Sequence, residues 1–152
     1  MSIPKVIHYC WFGKNKMPSL AKKCIKSWKK YCPDYEIICH NEDNFDISAN
    51  RYAFEAYKAG KWAFVSDYVR LKVIYDNGGI YMDTDVEVIN DFSKLLGENT
   101  VLGYEDDKNL TTAFIAVPPK AIWVKELLDL YEGKEYKVYL GNEEIGDPEV
   151  ME

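Results

Sequence analysis

The chain predicts an α/β fold with a mostly parallel sheet, and three observations carry that prediction. Short apolar runs of strand length alternate with longer segments of helical period. Proline and glycine punctuate the junctions between them, as at Gly13, Pro18, Pro33, Gly60 and Gly78. The composition, 47% apolar and 14% aromatic over 152 residues, suits one domain with a substantial core and is too hydrophobic for a disordered chain.

Lys5 to Phe12 (KVIHYCWF) is a compact apolar run ending at Gly13 and reads as a buried strand. Pro18-Ser19 opens a helix on which Leu20, Cys24, Trp28 and Tyr31 recur at helical spacing, and Pro33 closes it. Tyr35 to Cys39 is the next strand, and Asn41 to Asn50 is a polar loop. Arg51 to Lys58 reads as a short helix before Gly60. Trp62 to Asp76 is a longer helix, stopped by the C-terminal cap signal Asn77-Gly78. Ile80 to Met82 is a strand, Val86 to Ile89 continues extended, and Phe92 to Leu96 is a turn or short helix. Val101 to Tyr104 and Ala113 to Val117 add strands, and Lys120 to Tyr131 is an amphipathic helix following Pro118-Pro119. Residues 1–132 read as the domain. Gly133 to Glu152 is acidic, lacks apolar periodicity and has no evident place in a core: it is a tail or the start of a further C-terminal portion.

Charge and cysteine usage exclude several classes. A formal charge of −6 leaves no basic face of the kind nucleic-acid binding needs. Lys22, Lys23, Lys26, Lys29 and Lys30 do cluster at helical spacing. A solvated helix face is the first reading, and weak contact with an anionic membrane surface is the second. The apolar start from Ile3 is soon interrupted by Lys14 and Lys16, unlike a signal peptide. No stretch approaches the ~20 apolar residues of a membrane span. Cys10, Cys24, Cys32 and Cys39 form no CxxC pair and read as reduced core residues of a cytoplasmic protein. His8, within a strand, reads as a satisfied core histidine, and His40 as a loop residue.

The most telling segment runs from Gly78-Gly79 through Tyr81, Asp83 and Asp85 to Glu87. In extended backbone, residues i and i+2 point the same way, so Asp83 and Asp85 project together at a strand end. Such a pair suits Mg²⁺ or Mn²⁺, which keep several waters and share coordination with phosphates. The preceding helix is apolar except for one arc of about 100° holding Ser66, Asp67 and Arg70. A surface Asp67–Arg70 pair would contribute only roughly 0.2–0.5 kcal/mol. An arc facing the aspartates would instead let Arg70 neutralise phosphate while Asp67 accepts hydrogen bonds from hydroxyls. Two other aspartate motifs fit poorly. An EF-hand loop starting at Asp83 would need glycine where Val88 stands, and Glu87 replaces the Thr or Val of an aspartate-nucleophile phosphatase.

Three motifs in this order, Ile3 through Gly13, Trp62 through Arg70 and Gly78 through Glu87, resemble glycosyltransferase family 32. That family includes bacterial capsular-polysaccharide transferases and fungal α-1,6-mannosyltransferases, and is related to the large glucosylating toxins. The resemblance implies a GT-A-like nucleotide-diphospho-sugar transferase fold and a divalent metal, usually Mn²⁺. It also implies a nucleotide-sugar donor (UDP-sugar favoured), retention of anomeric configuration, and a glycan or lipid-linked glycan acceptor in surface polysaccharide synthesis. By motif, Trp11 would stack on the nucleobase, Gly13 would let the backbone approach the nucleotide, and Asp67 would hold sugar or ribose hydroxyls. Arg70 would contact the donor sugar or its diphosphate. Tyr81 either hydrogen-bonds a phosphate oxygen or is a packed strand aromatic. Asp83 would face ribose and metal, with Asp85 binding the metal directly. Leu110 to Phe114 is similar to the strand approaching the acceptor in that family.

The family's chemistry is front-face attack assisted by the donor phosphate, in keeping with a chain that has no evident second catalytic carboxylate. A nucleophile such as Glu105 or Asp106 is the minor alternative. Family members continue past residue 152 with a segment containing His and Ser-Trp that completes the metal site, and nothing here matches it. The expectation is a donor-binding half with weak or no unaided turnover. The alternatives are a catalytically silent nucleotide-sugar-binding module and a different phosphate enzyme that uses Asp83 and Asp85 for Mg²⁺.

Overall fold

The computed structural model describes residues 2–92, 96, 101–104, 110–136, 139–140 and 143–144. A five-stranded sheet forms its centre, in the order β2-β1-β3-β5-β4. These strands are β1 (Val6–Cys10), β2 (Glu36–His40), β3 (Gly79–Met82), β4 (Val101–Tyr104) and β5 (Leu110–Val117). The helices are α1 (Ser19–Tyr31), α2 (Arg51–Lys58), α3 (Trp62–Asn77) and α4 (Ile122–Asp129), with a 3-10 turn at Ile47–Ala49. Tyr139–Leu140 (β6) pairs with Glu143–Glu144 (β7) as a separate two-stranded ladder. No described helix is long and apolar enough to cross a membrane.

The sheet is mostly parallel, as expected, with β5 its one reversed strand. β1 pairs in parallel with both β2 and β3, but β5 runs antiparallel to β3 and to β4. The reason is chain length. Tyr104 and Leu110 bound a connection of five residues, whereas a parallel crossover needs a dozen or more. One element does differ: Val86–Ile89, expected to continue extended, is not a strand. Its polar groups are taken by α1 instead of a ladder: Trp28 Nε1 donates to the Val86 carbonyl at 2.7 Å, and Val88 N donates to Ser27 Oγ at 2.9 Å. Phe92 has no regular structure, and residues 93–95 of the expected turn lie outside the described residues.

Period-two alternation sends neighbouring strand residues to opposite layers. Tyr81, Ile115 and Val117 join α2, α3 and α4 in one core cluster. Ile7, Ile80, Met82 and Ala116 pack with Ile25 and Trp28 of α1 in the other. All four cysteines are free, three buried and Cys39 half-buried. Tyr136 corrects the reading of the acidic tail: it is buried, 6% exposed, with ring centroids 5.6 Å from Tyr52 and 5.3 Å from Phe64. Its amide donates to Glu55 Oε1, so one aromatic suffices to hold this part of the tail without periodicity.

His8 is the satisfied core histidine expected. His40 is a correction, because it ends β2 rather than entering the loop. His8 Nε2 lies 3.0 Å from the Gly78 carbonyl, which can only accept, so that nitrogen donates and Nδ1 accepts from His40 Nε2 at 2.9 Å. Burial lowers the His8 pKa against the pull of the Gly78 carbonyl and Glu36, and burial followed by the charge of His8 takes His40 down to about 4. Both rings bind protons more readily unfolded than folded. Their stabilising contribution is therefore complete above the ordinary value near 6.5 and is lost as pH falls toward 4. Urea denaturation across that window should show a loss of about 1–3 kcal/mol, and His40→Gln should flatten it. An unchanged profile in the variant would count against this pair as the cause.

Candidate functional site

From β1 the sheet grows outward to β2 on one side and to β3 on the other, so the β1–β3 boundary is a topological switch point. Open α/β sheets bind ligands beyond the carboxyl ends of strands at such a point. A cavity of about 540 Å³ lies there. Cys10, Trp11 and Phe12 line it from the end of β1, and Asn15, Lys16 and Pro18 from the loop to α1. Trp62, Ala63, Ser66 and Arg70 come from α3, and Tyr81, Asp83, Thr84 and Asp85 from β3 and the turn after it.

Arg70, only 6% exposed, is the hub. Its Nη2 lies 3.1 Å from Asp83 Oδ1 and 3.5 Å from Asp67 Oδ1. Its guanidinium also donates to the Ser66 carbonyl and Oγ, at 3.2 and 3.1 Å, and stands 4.6 Å from the Tyr81 ring centroid. Tyr81 in turn donates to Asp83 Oδ1 at 3.0 Å. Asp83 N donates to the Ala113 carbonyl, which anchors the turn to β5. The polar arc of α3 thus faces the aspartate segment and is not a surface pair.

Burial raises the Asp83 pKa, outweighing Arg70 and Tyr81, which pull it down, and the nearby Asp85 charge adds to the rise. Asp67 is raised for the same first reason, with Arg70 opposing. Burial works against the Arg70 charge, but Tyr81, Asp83 and Asp67 prevail and raise its pKa. Burial likewise pushes the Cys10 thiol up to about 12, so it is no nucleophile at neutral pH. Asp85 is exposed on the same cavity. The described residues contain no group of three or more His, Cys, Asp or Glu that could hold a metal. Two carboxylates alone still suit an ion that keeps waters and shares a ligand's phosphates, as Mg²⁺ and Mn²⁺ do.

Behind the cavity-lining Trp62, Gly13 has φ +95°, and a Cβ there would fall 2.5 Å from the Trp62 ring. Glu42 clamps this loop, accepting from Gly13 N at 2.5 Å and from the Tyr57 hydroxyl at 3.0 Å. Trp11 lines the cavity with its Nε1 donating to the Asn15 carbonyl at 2.8 Å.

Residues 18–102, more than half of the chain, match the family described as "Glycosyltransferase sugar-binding region containing DXD motif". The chain belongs to this family. The matched span of the DXD glycosyltransferase family holds the α3 arc and the Asp83/Asp85 segment, while the Ile3–Gly13 motif precedes it. Inositol phosphoceramide mannosyltransferase 3 of Schizosaccharomyces pombe (strain 972 / ATCC 24843) is 30% identical over 89 residues, 56% of this chain and 25% of that protein. The solved structure "PaToxG Glycosyltransferase" superposes with a TM-score of 0.70 at 21% identity, covering 85% of this chain and 59% of that one. The fold is thus the GT-A-like α/β fold expected. The chain spans about a quarter of the mannosyltransferase and three fifths of the solved structure.

Among the residues singled out from the sequence, Trp11, Arg70, Tyr81, Asp83 and Asp85 line one cavity. Asp67 and Gly13 do not line it but touch residues that do, Arg70 and Trp62. Tyr81 is buried in β3 and also lines the cavity, its hydroxyl donating to Asp83 Oδ1. Glu105 and Asp106 lie outside the described residues. Trp62 and Glu42 were missed as parts of the site. Trp62, Ser66 and Arg70 stand four apart on one helix face, so periodicity could have added Trp62; nothing local marks Glu42 within its polar loop.

Proposed function

We propose that this DXD-family chain is the donor-binding part of a metal-dependent retaining glycosyltransferase. It would move a hexose from a nucleotide-sugar, UDP-sugar favoured, to a glycan or lipid-linked glycan acceptor in surface polysaccharide assembly. The observation that carries this reading is the buried Arg70 joined to Asp83 in a cavity that also holds Asp85 and Trp11. Trp11 offers an aromatic face for the base. Arg70 holds positive charge where a diphosphate would sit, preorganised by Ser66, Tyr81 and Asp83. Asp67 orients Arg70 and is available to sugar or ribose hydroxyls. Asp83 and Asp85 would hold a divalent cation, which when bound supplies electrostatic stabilisation of the departing diphosphate.

A second reading is binding without turnover, supported by the absence, among the described residues, of any group of three or more His, Cys, Asp or Glu that could hold a metal. Incubation with UDP- and GDP-sugars, in Mn²⁺ and in EDTA, separates the two when binding and donor hydrolysis are both recorded. The transferase reading expects metal-dependent hydrolysis that Asp85→Ala lowers by about 10²–10³-fold. Metal-dependent binding with no hydrolysis supports the second reading. Absence of binding to either nucleotide in Mn²⁺ sinks both.

A further inference from the structure

We propose that the outer face of α1 docks onto anionic lipid headgroups and holds the cavity mouth against a membrane surface. This goes beyond the reading above, and its test needs no transfer activity. The first observation is charge segregation. The first 33 residues contain eight lysines and no acid, so they carry +8 while the remainder carries −14. Five of those lysines, Lys22, Lys23, Lys26, Lys29 and Lys30, are exposed on α1 within an arc of about 120°. The buried side of the helix, with Ala21, Cys24, Ile25, Ser27 and Trp28, lies opposite.

The second observation is that these charges are left unshared. Each of the other helices carries a basic residue paired four positions on: Arg51–Glu55 on α2, Lys72–Asp76 on α3 and Lys125–Asp129 on α4. α1 carries no acid at all, and none of its five lysines forms an ion pair among the described residues. An ordinary solvated face would follow the pattern of the other three helices.

The chemistry of the face selects the partner. It holds lysines and no arginine, hence point charges without the planar fork that reads individual phosphates. A delocalised negative surface suits such an array, and at physiological salt the Debye length of about 8 Å lets the near face outweigh the distant acidic remainder. Leu20, 59% exposed, stands beside the arc and can dip between headgroups. Orientation follows from the loop before the helix, since Lys16 and Pro18 both line the cavity. Docking through α1 would therefore bring the cavity mouth to the membrane edge.

Co-sedimentation with vesicles tests this directly. The intact chain should pellet with phosphatidylcholine vesicles containing phosphatidylserine, stay free of pure phosphatidylcholine vesicles, and be released by high salt. Each lysine near the surface contributes about fivefold in partitioning, so K22Q/K26Q/K29Q should lose roughly a hundredfold. The control K72Q/K125Q should lose none, and matched thermal melts would establish that both variants are folded. Equal binding to neutral vesicles, no binding at low salt, or an unaffected triple variant would overturn the proposal. Binding to a soluble acidic polymer as tight as to the vesicles would do the same, and would assign the face to a polyanion.

Discussion

Arg70→Met should lower donor hydrolysis by at least about 10²-fold and destabilise the fold by about 2–4 kcal/mol. Both effects come from one guanidinium that stands 3.1 Å from Asp83, 3.5 Å from Asp67 and 4.6 Å from the Tyr81 ring centroid. Methionine fills much of the volume but leaves Asp83 without its cation, and an unpaired carboxylate in a partly buried place is costly. Burial already holds the Asp83 pKa above its ordinary value while Arg70 opposes the rise, so removing Arg70 moves it further up. Arg70→Lys should recover part of the stability and little of the turnover. It keeps the charge but cannot donate to Ser66 and Asp83 with one planar group. Urea unfolding and donor hydrolysis on both variants check this. A methionine variant as stable and as active as the parent would remove Arg70 from the site.

Gly78→Ala should cost about 2–4 kcal/mol, measurable as a drop in the urea midpoint, with Gly78→Val close to unfolded at ambient temperature. Gly78 caps α3 at φ +65° and ψ −174°, a region that L side chains essentially do not enter. A Cβ there would also fall 2.6 Å from Pro119 N, which is backbone and cannot rotate away. The next residue, Gly79, has φ +106°, and its Cβ would meet the Val6 carbonyl oxygen at 2.8 Å. The glycine pair therefore serves two ends at once. It lets α3 turn directly into β3, and it lets β3 lie close against β1, so that Asp83 emerges at the cavity. Wild-type stability in Gly78→Ala would mean that the cap relaxes, contrary to this account.

The elements that were legible in the sequence share a property: their signals are local. The α3 helix, its glycine stop and the paired aspartates are written in adjacent residues, so period and cap placed them within a residue or so. The Arg70–Asp83 pair was legible only conditionally, because a helix arc does not say which strand it faces. What escaped depends on long-range partners. Val86–Ile89 has the look of a strand, and only Ser27 and Trp28, about sixty positions earlier, divert its polar groups. Tyr136 sits in an acidic stretch without pattern and is held by Tyr52, Phe64 and Glu55. Glu42 reaches Gly13 across the loop between sheet and helix, and no spacing rule connects them. The reversed β5 could have been inferred, since five residues cannot make a crossover.

The strand order has a consequence for how the protein is made. β1 lies between β2 and β3, yet about seventy residues separate its end from the start of β3. At roughly 5–20 residues per second, a ribosome needs on the order of 4–14 s to bridge that gap. During that interval β1 can pair with β2, but the edge awaiting β3 has no partner, and Ile7 and His8 have yet to meet Ile80 and Tyr81. The nascent chain thus presents an apolar strand edge for seconds, and the residues that cover it are the same ones that deliver the two aspartates.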